Sequence, residues 1–154
     1  MRRMHRRIAL LCLIGTLVGC GGKTQSYRVV VHNESPRSVT VWLTKNGPPD
    51  EPGWKSPETV AIENLGADEP VAGVIIPPGK TGETGSVRGH FPEGVDAMLR
   101  VYLGQLAFDD LLAISRDSPN RIDVVLTPGT NELTVRDRRG TTVVERGGQP
   151  VGPH

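Results

Sequence analysis

The sequence predicts an all-β fold of about eight short strands with one or two short helices. Short runs of valine, leucine and isoleucine alternate with polar residues, which is the period of a half-buried strand. The 13 prolines and 19 glycines mark turns between many of these runs. Strands at this spacing typically pack as two sheets, so we expect an immunoglobulin-like or related β-sandwich. A small barrel would have a similar pattern.

The first two predicted strands cover residues 27–33 and 38–45. In the second, Val39, Val41 and Leu43 alternate with polar or amphipathic residues, as in a strand with one buried face. Ser35-Pro36 indicates a turn between the two strands. We therefore predict that they form a β-hairpin.

A proline-rich segment, residues 46–54, follows the second strand and ends in Trp54. It cannot continue a central strand because proline donates no ladder hydrogen bond. We expect a stiff loop with an exposed tryptophan. The next segment is predicted to be a helix, with Ser56 as its N-cap, Pro57 at its first position and Glu58 as an acidic residue in its first turn. This helix is predicted to end near Asn64, with Gly66 as its stop.

The middle of the chain contains three further predicted strands, at residues 71–76, 83–91 and 96–103. Pro77-Pro78-Gly79 suits a type II turn after the first of them. Residues 106–115 carry Phe108, Leu111 and Leu112 at helical spacing, so we predict a short helix that crosses the sheet.

The last third alternates most regularly, with predicted strands at residues 121–127, 132–136 and 141–146. Pro128-Gly129 separates the first two strands. Residues 137–140 begin with aspartate and end with glycine, as a type I turn prefers. Residues 147–154 are predicted to be a flexible tail.

The N-terminus has the layout of a secretory signal. Four arginines, at positions 2, 3, 6 and 7, precede an uncharged apolar run at residues 8–18, which ends in small residues. As a helix this run would extend roughly 16 Å, against about 30 Å for the hydrocarbon core of a bilayer. It is too short to be a permanent span.

Leu17-Val18-Gly19-Cys20 resembles the lipobox of bacterial lipoproteins. The resemblance implies that residues 1–19 are removed and that Cys20 is joined to a diacylglycerol. It further implies a short lipidated tether at residues 20–26 and a β-sandwich domain at residues 27–146. The protein would then be anchored in a membrane of the cell envelope and face the periplasm or exterior. In the alternative, an ordinary secretory signal or an uncleaved anchor, Cys20 is incidental.

Charge and cysteine content narrow the class of protein further. The signal contains four of the 18 basic residues and none of the 17 acidic ones, so the remaining chain has a net charge of −3. This does not favour a nucleic-acid partner. Cys12 would leave with the signal and Cys20 would become a thioether, so no disulfide is expected.

Two motifs resemble catalytic signatures only in part. Gly79-Lys80-Thr81 matches the end of a phosphate-binding loop, but Val74 stands where that loop needs glycine. Ser86 is not in a nucleophile elbow, because Thr84 and Arg88 stand where glycines are required. We interpret both segments as structural.

No metal or cofactor site is predicted either. His32, His90 and His154 are far apart in the sequence and lack a second ligand at metal-binding spacing. Asp109 and Asp110 fit the start of a short helix, where carboxylates are favoured. We therefore expect no catalytic residues, no metal and no cofactor.

The best surface candidates are Trp54 and Trp42, because tryptophan suits contacts with proteins or sugars. In the alternative interpretation, Trp54 folds back over the sandwich edge and Trp42 packs beneath the crossing helix. Arg136, Arg138 and Arg139 form a basic hairpin tip, either a solvated turn or a contact for anionic headgroups.

The leading functional hypothesis is a non-enzymatic envelope lipoprotein with a structural or protein-interaction role. The body resembles small envelope lipoproteins in general style, without a motif that carries a function. The alternative is a carbohydrate- or peptidoglycan-binding module that uses a tryptophan. An enzyme or metal protein assembled from distant residues ranks third.

Overall fold

The computed structural model describes residues 22–63 and 73–152. These residues form nine strands and two short helices. The strands are β1 (Lys23–Asn33), β2 (Val39–Lys45), β3 (Val74–Ile76), β4 (Thr81–Phe91), β5 (Ala97–Leu103), β6 (Arg121–Val125), β7 (Gly129–Arg138), β8 (Thr141–Arg146) and β9 (Gln149–Val151). The helices are α1 (Pro57–Glu63) and α2 (Phe108–Ala113).

The strands form two sheets, as the all-β prediction requires. One sheet has five strands in the order β4-β1-β7-β8-β9, and the other has four in the order β3-β2-β5-β6. All neighbouring strands are antiparallel except β1 and β7, which run parallel from Tyr27 opposite Gly129 to Asn33 opposite Val135. The predicted β-sandwich is confirmed at the level of two packed sheets.

The core lies between the two sheets and consists of the side chains on the inward face of each strand. Val29 and Val31 of β1 are completely buried, as are Leu99 and Val101 of β5. Full burial of a side chain of this size contributes about 1.5–3 kcal/mol. The period-two pattern therefore identified the core-facing side of β1, β2 and β5.

The outer face of the four-stranded sheet is covered by the two helices. Trp42 of β2, Tyr102 of β5 and Leu111 of α2 form a second buried cluster there. Every residue of β2 is buried for this reason, including Thr40 and Thr44. The predicted helix that crosses the sheet is thus present as α2.

The predicted hairpin between residues 27–33 and 38–45 is wrong. β1 pairs with β4 and β7, whereas β2 pairs with β3 and β5, so the two strands lie in different sheets. The turn between them is held by Asn33, whose Nδ2 donates to the carbonyls of Arg37 (2.7 Å) and Ile76 (2.9 Å). Alternation shows that each strand has a buried face, but it cannot choose the neighbouring strand.

The boundaries of the tether and the tail also differ from the prediction. β1 begins at Lys23, opposite Phe91 of β4, so residues 23–26 are strand and not tether. At the other end, Gln149–Val151 forms β9 against β8, after Gly147 and Gly148 turn the chain with positive φ. Pro150 is compatible with this strand because β9 lies at the edge of its sheet.

The turn between β7 and β8 differs from the predicted type I turn at residues 137–140. Both strands continue closer to the tip, and the turn has only Arg139 (φ 53°) and Gly140 (φ 83°) at its centre. Positive φ at both positions is typical of a type I′ turn, whose twist matches that of the paired strands.

Two other local predictions are confirmed. Lys80 N–H donates to the Pro77 carbonyl (3.2 Å) and Gly79 has φ 68°, as a type II turn requires. Ser56 Oγ accepts from Thr59 N–H (3.1 Å), which makes it the N-cap of α1. The predicted stop at Gly66 and the start of the 71–76 strand lie outside the described residues.

Candidate functional site

The proline-rich segment, residues 46–54, is called the closing loop because it joins the two sheets at one end of the sandwich. It leaves β2 in the four-stranded sheet and contacts the free edge of β4 in the other. Trp54 Nε1 donates to the Arg88 carbonyl (2.9 Å), and Glu51 Oε2 accepts from His90 N–H (2.9 Å). The loop therefore satisfies backbone groups that an edge strand would otherwise expose.

Trp54 is buried, with only 2% of its surface exposed. Its ring makes edge contacts with Tyr27 (5.4 Å between centroids) and Phe91 (5.0 Å). Gly89 leaves room for it, because a Cβ there would lie 2.5 Å from Trp54 Nε1. The expectation of an exposed Trp54 is wrong, and the alternative, in which it folds back over the sandwich edge, is the observed arrangement.

Lys45 lies at the centre of this end of the molecule, with 3% of its side chain exposed. Its ammonium group pairs with Glu51, donates to the His90 carbonyl (2.7 Å) and lies 4.7 Å from the Phe91 ring centroid. The hydrogen bond from Lys45, followed by that from His90 N–H, lowers the pKa of Glu51. The sequence prediction missed this site, since a lysine that ends a strand is normally solvated.

Trp42 is also buried, with 4% of its surface exposed. Its Nε1 donates to the Lys55 carbonyl (2.8 Å), and its ring lies 6.4 Å from that of Phe108 in α2. Packing beneath the crossing helix, the alternative interpretation, is again what is observed. Both tryptophans are therefore mostly covered by the protein itself, although Trp42 lines a cavity of about 280 Å³ with Lys55 and Val60.

A group of four ionisable side chains lies beside Trp42 on the outer face of the four-stranded sheet. Arg100 Nη1 donates to both carboxylate oxygens of Glu58 (2.6 and 2.9 Å). Arg121 donates to both oxygens of Asp123 through Nε (2.8 Å) and Nη2 (2.7 Å). The first pair connects α1 to β5, and the second connects two residues of β6. Both arginines also line an adjacent cavity of about 240 Å³.

The pKa of Glu58 reflects both its burial and its hydrogen bonds. Burial raises the pKa of Glu58, but the hydrogen bonds from Arg100, from its own backbone and from Ser56 outweigh that effect and leave the pKa lowered. Burial also raises the pKa of Tyr102, and the neighbouring Arg100 opposes that effect without cancelling it. Glu58 is thus held charged beside Arg100, which is an arrangement for positioning.

The remaining predicted candidates are separate from one another. His32 Nδ1 lies 2.8 Å from Thr81 Oγ1 on the outer face of the five-stranded sheet, and His90 lies beside Gly22. Asp110 Oδ2 accepts from Ala107 N–H (3.2 Å) at the start of α2, as a structural acid would. Within residues 22–63 and 73–152, no three potential metal ligands lie close enough to share an ion.

The predicted signal, residues 1–19, lies outside the described residues. Cys20 and His154 lie outside the described residues. In the part of the chain that is described, neither helix has the length and apolar character needed to cross a bilayer.

The basic hairpin tip is partly neutralised. Arg136 pairs with Glu34 (2.6 Å), and Arg138 Nε lies 2.5 Å from Glu145 Oε1 in an ion pair without hydrogen-bond alignment. Glu145 is 1% exposed, so these arginines cover it. Arg139 is exposed and has no ion pair with another described residue.

The described residues define a two-sheet β-sandwich with two short helices on one outer face. No family model matches the chain, and no curated protein or solved structure is significantly similar to it.

Proposed function

We propose that this protein is a non-enzymatic lipoprotein of the cell envelope, anchored through Cys20, whose β-sandwich is a structural or protein-interaction module. The observation that carries the proposal is Leu17-Val18-Gly19-Cys20 at the end of a basic and then apolar segment. Two or more acyl chains on such a cysteine hold a protein stably at a membrane, which a single chain does not.

The position of β1 is compatible with an anchor at Cys20. β1 begins at Lys23, only three residues after the cysteine. Three residues span at most about 10 Å, so a lipid on Cys20 would keep the start of β1 close to the bilayer. The end of the sandwich that contains Lys23, the closing loop and residues 92–96 would then face the membrane.

The non-enzymatic part of the proposal is supported by how the charged side chains are used. Arg100, Arg121, Glu58 and Asp123 are engaged with one another. Lys45 and Glu51 hold the closing loop against both sheets. Each of these groups has a structural partner that explains its position.

The alternative, a carbohydrate- or peptidoglycan-binding module, is less favoured because its proposed binding residues are buried. It requires the face of Trp54 or Trp42, and these side chains are 2% and 4% exposed. Cell-wall fragments are therefore expected to leave tryptophan fluorescence unchanged. Saturable quenching by a fragment would favour the alternative.

The lipid anchor is tested by metabolic labelling with palmitate followed by membrane fractionation. Wild type should carry label and stay with membranes in high salt, whereas Cys20→Ser should carry none and be released or mislocalised. Cys12→Ser is the matched control, because it removes the same thiol from the signal and should leave labelling intact. Absence of label from wild type, or equal labelling of Cys20→Ser, would refute the anchor.

A further inference from the structure

The parallel pairing of β1 with β7 places the basic hairpin tip far from the start of β1. Tyr27 lies opposite Gly129, so Arg139 is displaced from the level of Lys23 by 14 residues along the strand direction. At about 3.3 Å per residue this amounts to about 45 Å. The tip and the start of β1 are therefore at opposite ends of the sandwich.

Exposed cations collect at the end that carries the tip. They are Arg37, Lys80, Arg138 and Arg139, of which Arg138 also pairs with the buried Glu145. Lys80 is placed there by its carbonyl, which accepts from Asn33 N–H (2.9 Å), and Arg37 by its hydrogen bond to Thr142 Oγ1 (2.8 Å). Glu34 and Asp137 are the exposed acids in the turns that carry these cations, and Glu34 is already paired with Arg136.

The opposite end is weakly acidic. Asp50, Glu93 and Asp96 are exposed there beside the exposed cations Lys23 and Arg88, and the ammonium of Lys45 is buried and paired with Glu51. The chain after the signal has a net charge of −3, so the basic end is a local reversal of the overall charge. An anionic bilayer beneath the start of β1 would face the acidic end.

We propose that the basic end binds an anionic polymer, bearing phosphate or carboxylate groups, that lies beyond the anchoring membrane. The orientation in this proposal rests on the proposed lipid anchor. Guanidinium groups bind both anions through paired N–H donors, which gives the recognition chemistry.

The composition of the tip favours a polymer over a folded protein partner. Residues 136–142 contain no aromatic or large apolar side chain, which is what a stable protein interface places at its centre. Contacts made only by exposed charges are weak, reversible and sensitive to salt. A repeating anionic chain can compensate for such weak contacts by presenting many charges at once.

The test variants remove charge from the tip without disturbing the fold. Arg139→Asn suits a position with φ 53° that precedes glycine, because Asn-Gly is a preferred type I′ pair. Lys80→Gln changes an exposed side chain whose backbone bonds remain. Arg88→Gln at the opposite end is the matched control, since Arg88 is exposed and only its carbonyl is engaged.

Binding is measured with the purified full-length lipoprotein in vesicles of zwitterionic lipid. Polyphosphate and polygalacturonate distinguish phosphate from carboxylate recognition, and dextran is the neutral control. Each lost charge should weaken binding about fivefold, so Arg139→Asn with Lys80→Gln should lose about 25-fold. Arg88→Gln should bind like wild type, and dextran should not bind.

Several outcomes would overturn the proposal. They are unchanged affinity of the double variant, an equal loss in Arg88→Gln, binding of dextran, or retention of an acidic protein without retention of either polyanion.

A separate measurement tests the orientation of the sandwich on the membrane independently of the lipid anchor. Lipidated Cys20 has no free thiol, so a dye on Thr141→Cys or Glu93→Cys would be the single label. Headgroup quenchers should quench the dye at residue 93 and spare the dye at residue 141. Equal quenching would refute the orientation, and a second dye on Cys20 would refute the anchor without affecting the binding result.

Discussion

Replacement of Trp54 by alanine should destabilise the whole sandwich and not only a surface loop. The side chain is 2% exposed and packs on Tyr27 and Phe91, which join it to both β1 and β4. Truncation of a buried aromatic residue costs about 3–5 kcal/mol in unfolding free energy, and the carbonyl of Arg88 also loses its donor. A domain of this size has only about 5–15 kcal/mol in total.

Urea denaturation followed by circular dichroism of the detergent-solubilised protein measures this loss. Trp54→Phe separates the two contributions: it keeps most of the ring contact and leaves the Arg88 carbonyl unpaired, so we expect about 1–3 kcal/mol. Ile62→Ala is the control, since Ile62 is 73% exposed and should change stability by less than about 0.5 kcal/mol. A loss below about 1 kcal/mol in Trp54→Ala would refute the burial argument.

Two further predictions concern the same end of the molecule. The lowered pKa of Glu51 means that its stabilising effect is present above its unfolded value, near 4.5, and is lost as pH falls through the folded pKa. Stability measured from pH 6 to pH 3 should therefore fall less in Glu51→Gln than in wild type, and parallel curves would contradict the pairing with Lys45. Gly89→Ala should destabilise by about 1–3 kcal/mol, because its Cβ would lie 2.5 Å from Trp54 Nε1. Gly152→Ala, with Ile122 at 3.5 Å, should be nearly neutral in the same thermal melts.

The burial of Trp54 also changes how a partner search should be designed. A pull-down that compares wild type with Trp54→Ala would lose partners through unfolding, whatever the binding surface. Substitutions at exposed positions such as Arg139 and Lys80 avoid this problem because no core contact depends on them.

Local features were predictable because they depend on neighbouring residues. Ser56 caps α1 through an N–H three residues away, and Pro78-Gly79 forms its turn within four residues. Lys45 illustrates the opposite case. Its partners are carbonyls and rings from a loop and from β4, up to 46 residues away in the sequence.

By itself, the sequence determined the all-β class and the core-facing side of several strands, and it carries the proposed lipidation signal, since each depends on period or local composition. Only the tertiary structure decided that β1 pairs with β4 and β7, that both tryptophans are buried, and that the basic tip lies opposite the start of β1. The physical reason is that alternation specifies a buried face but no neighbour. The neighbouring strand is determined by the packing of all strands together. The resulting strand order determines which loops lie at the same end of the sandwich.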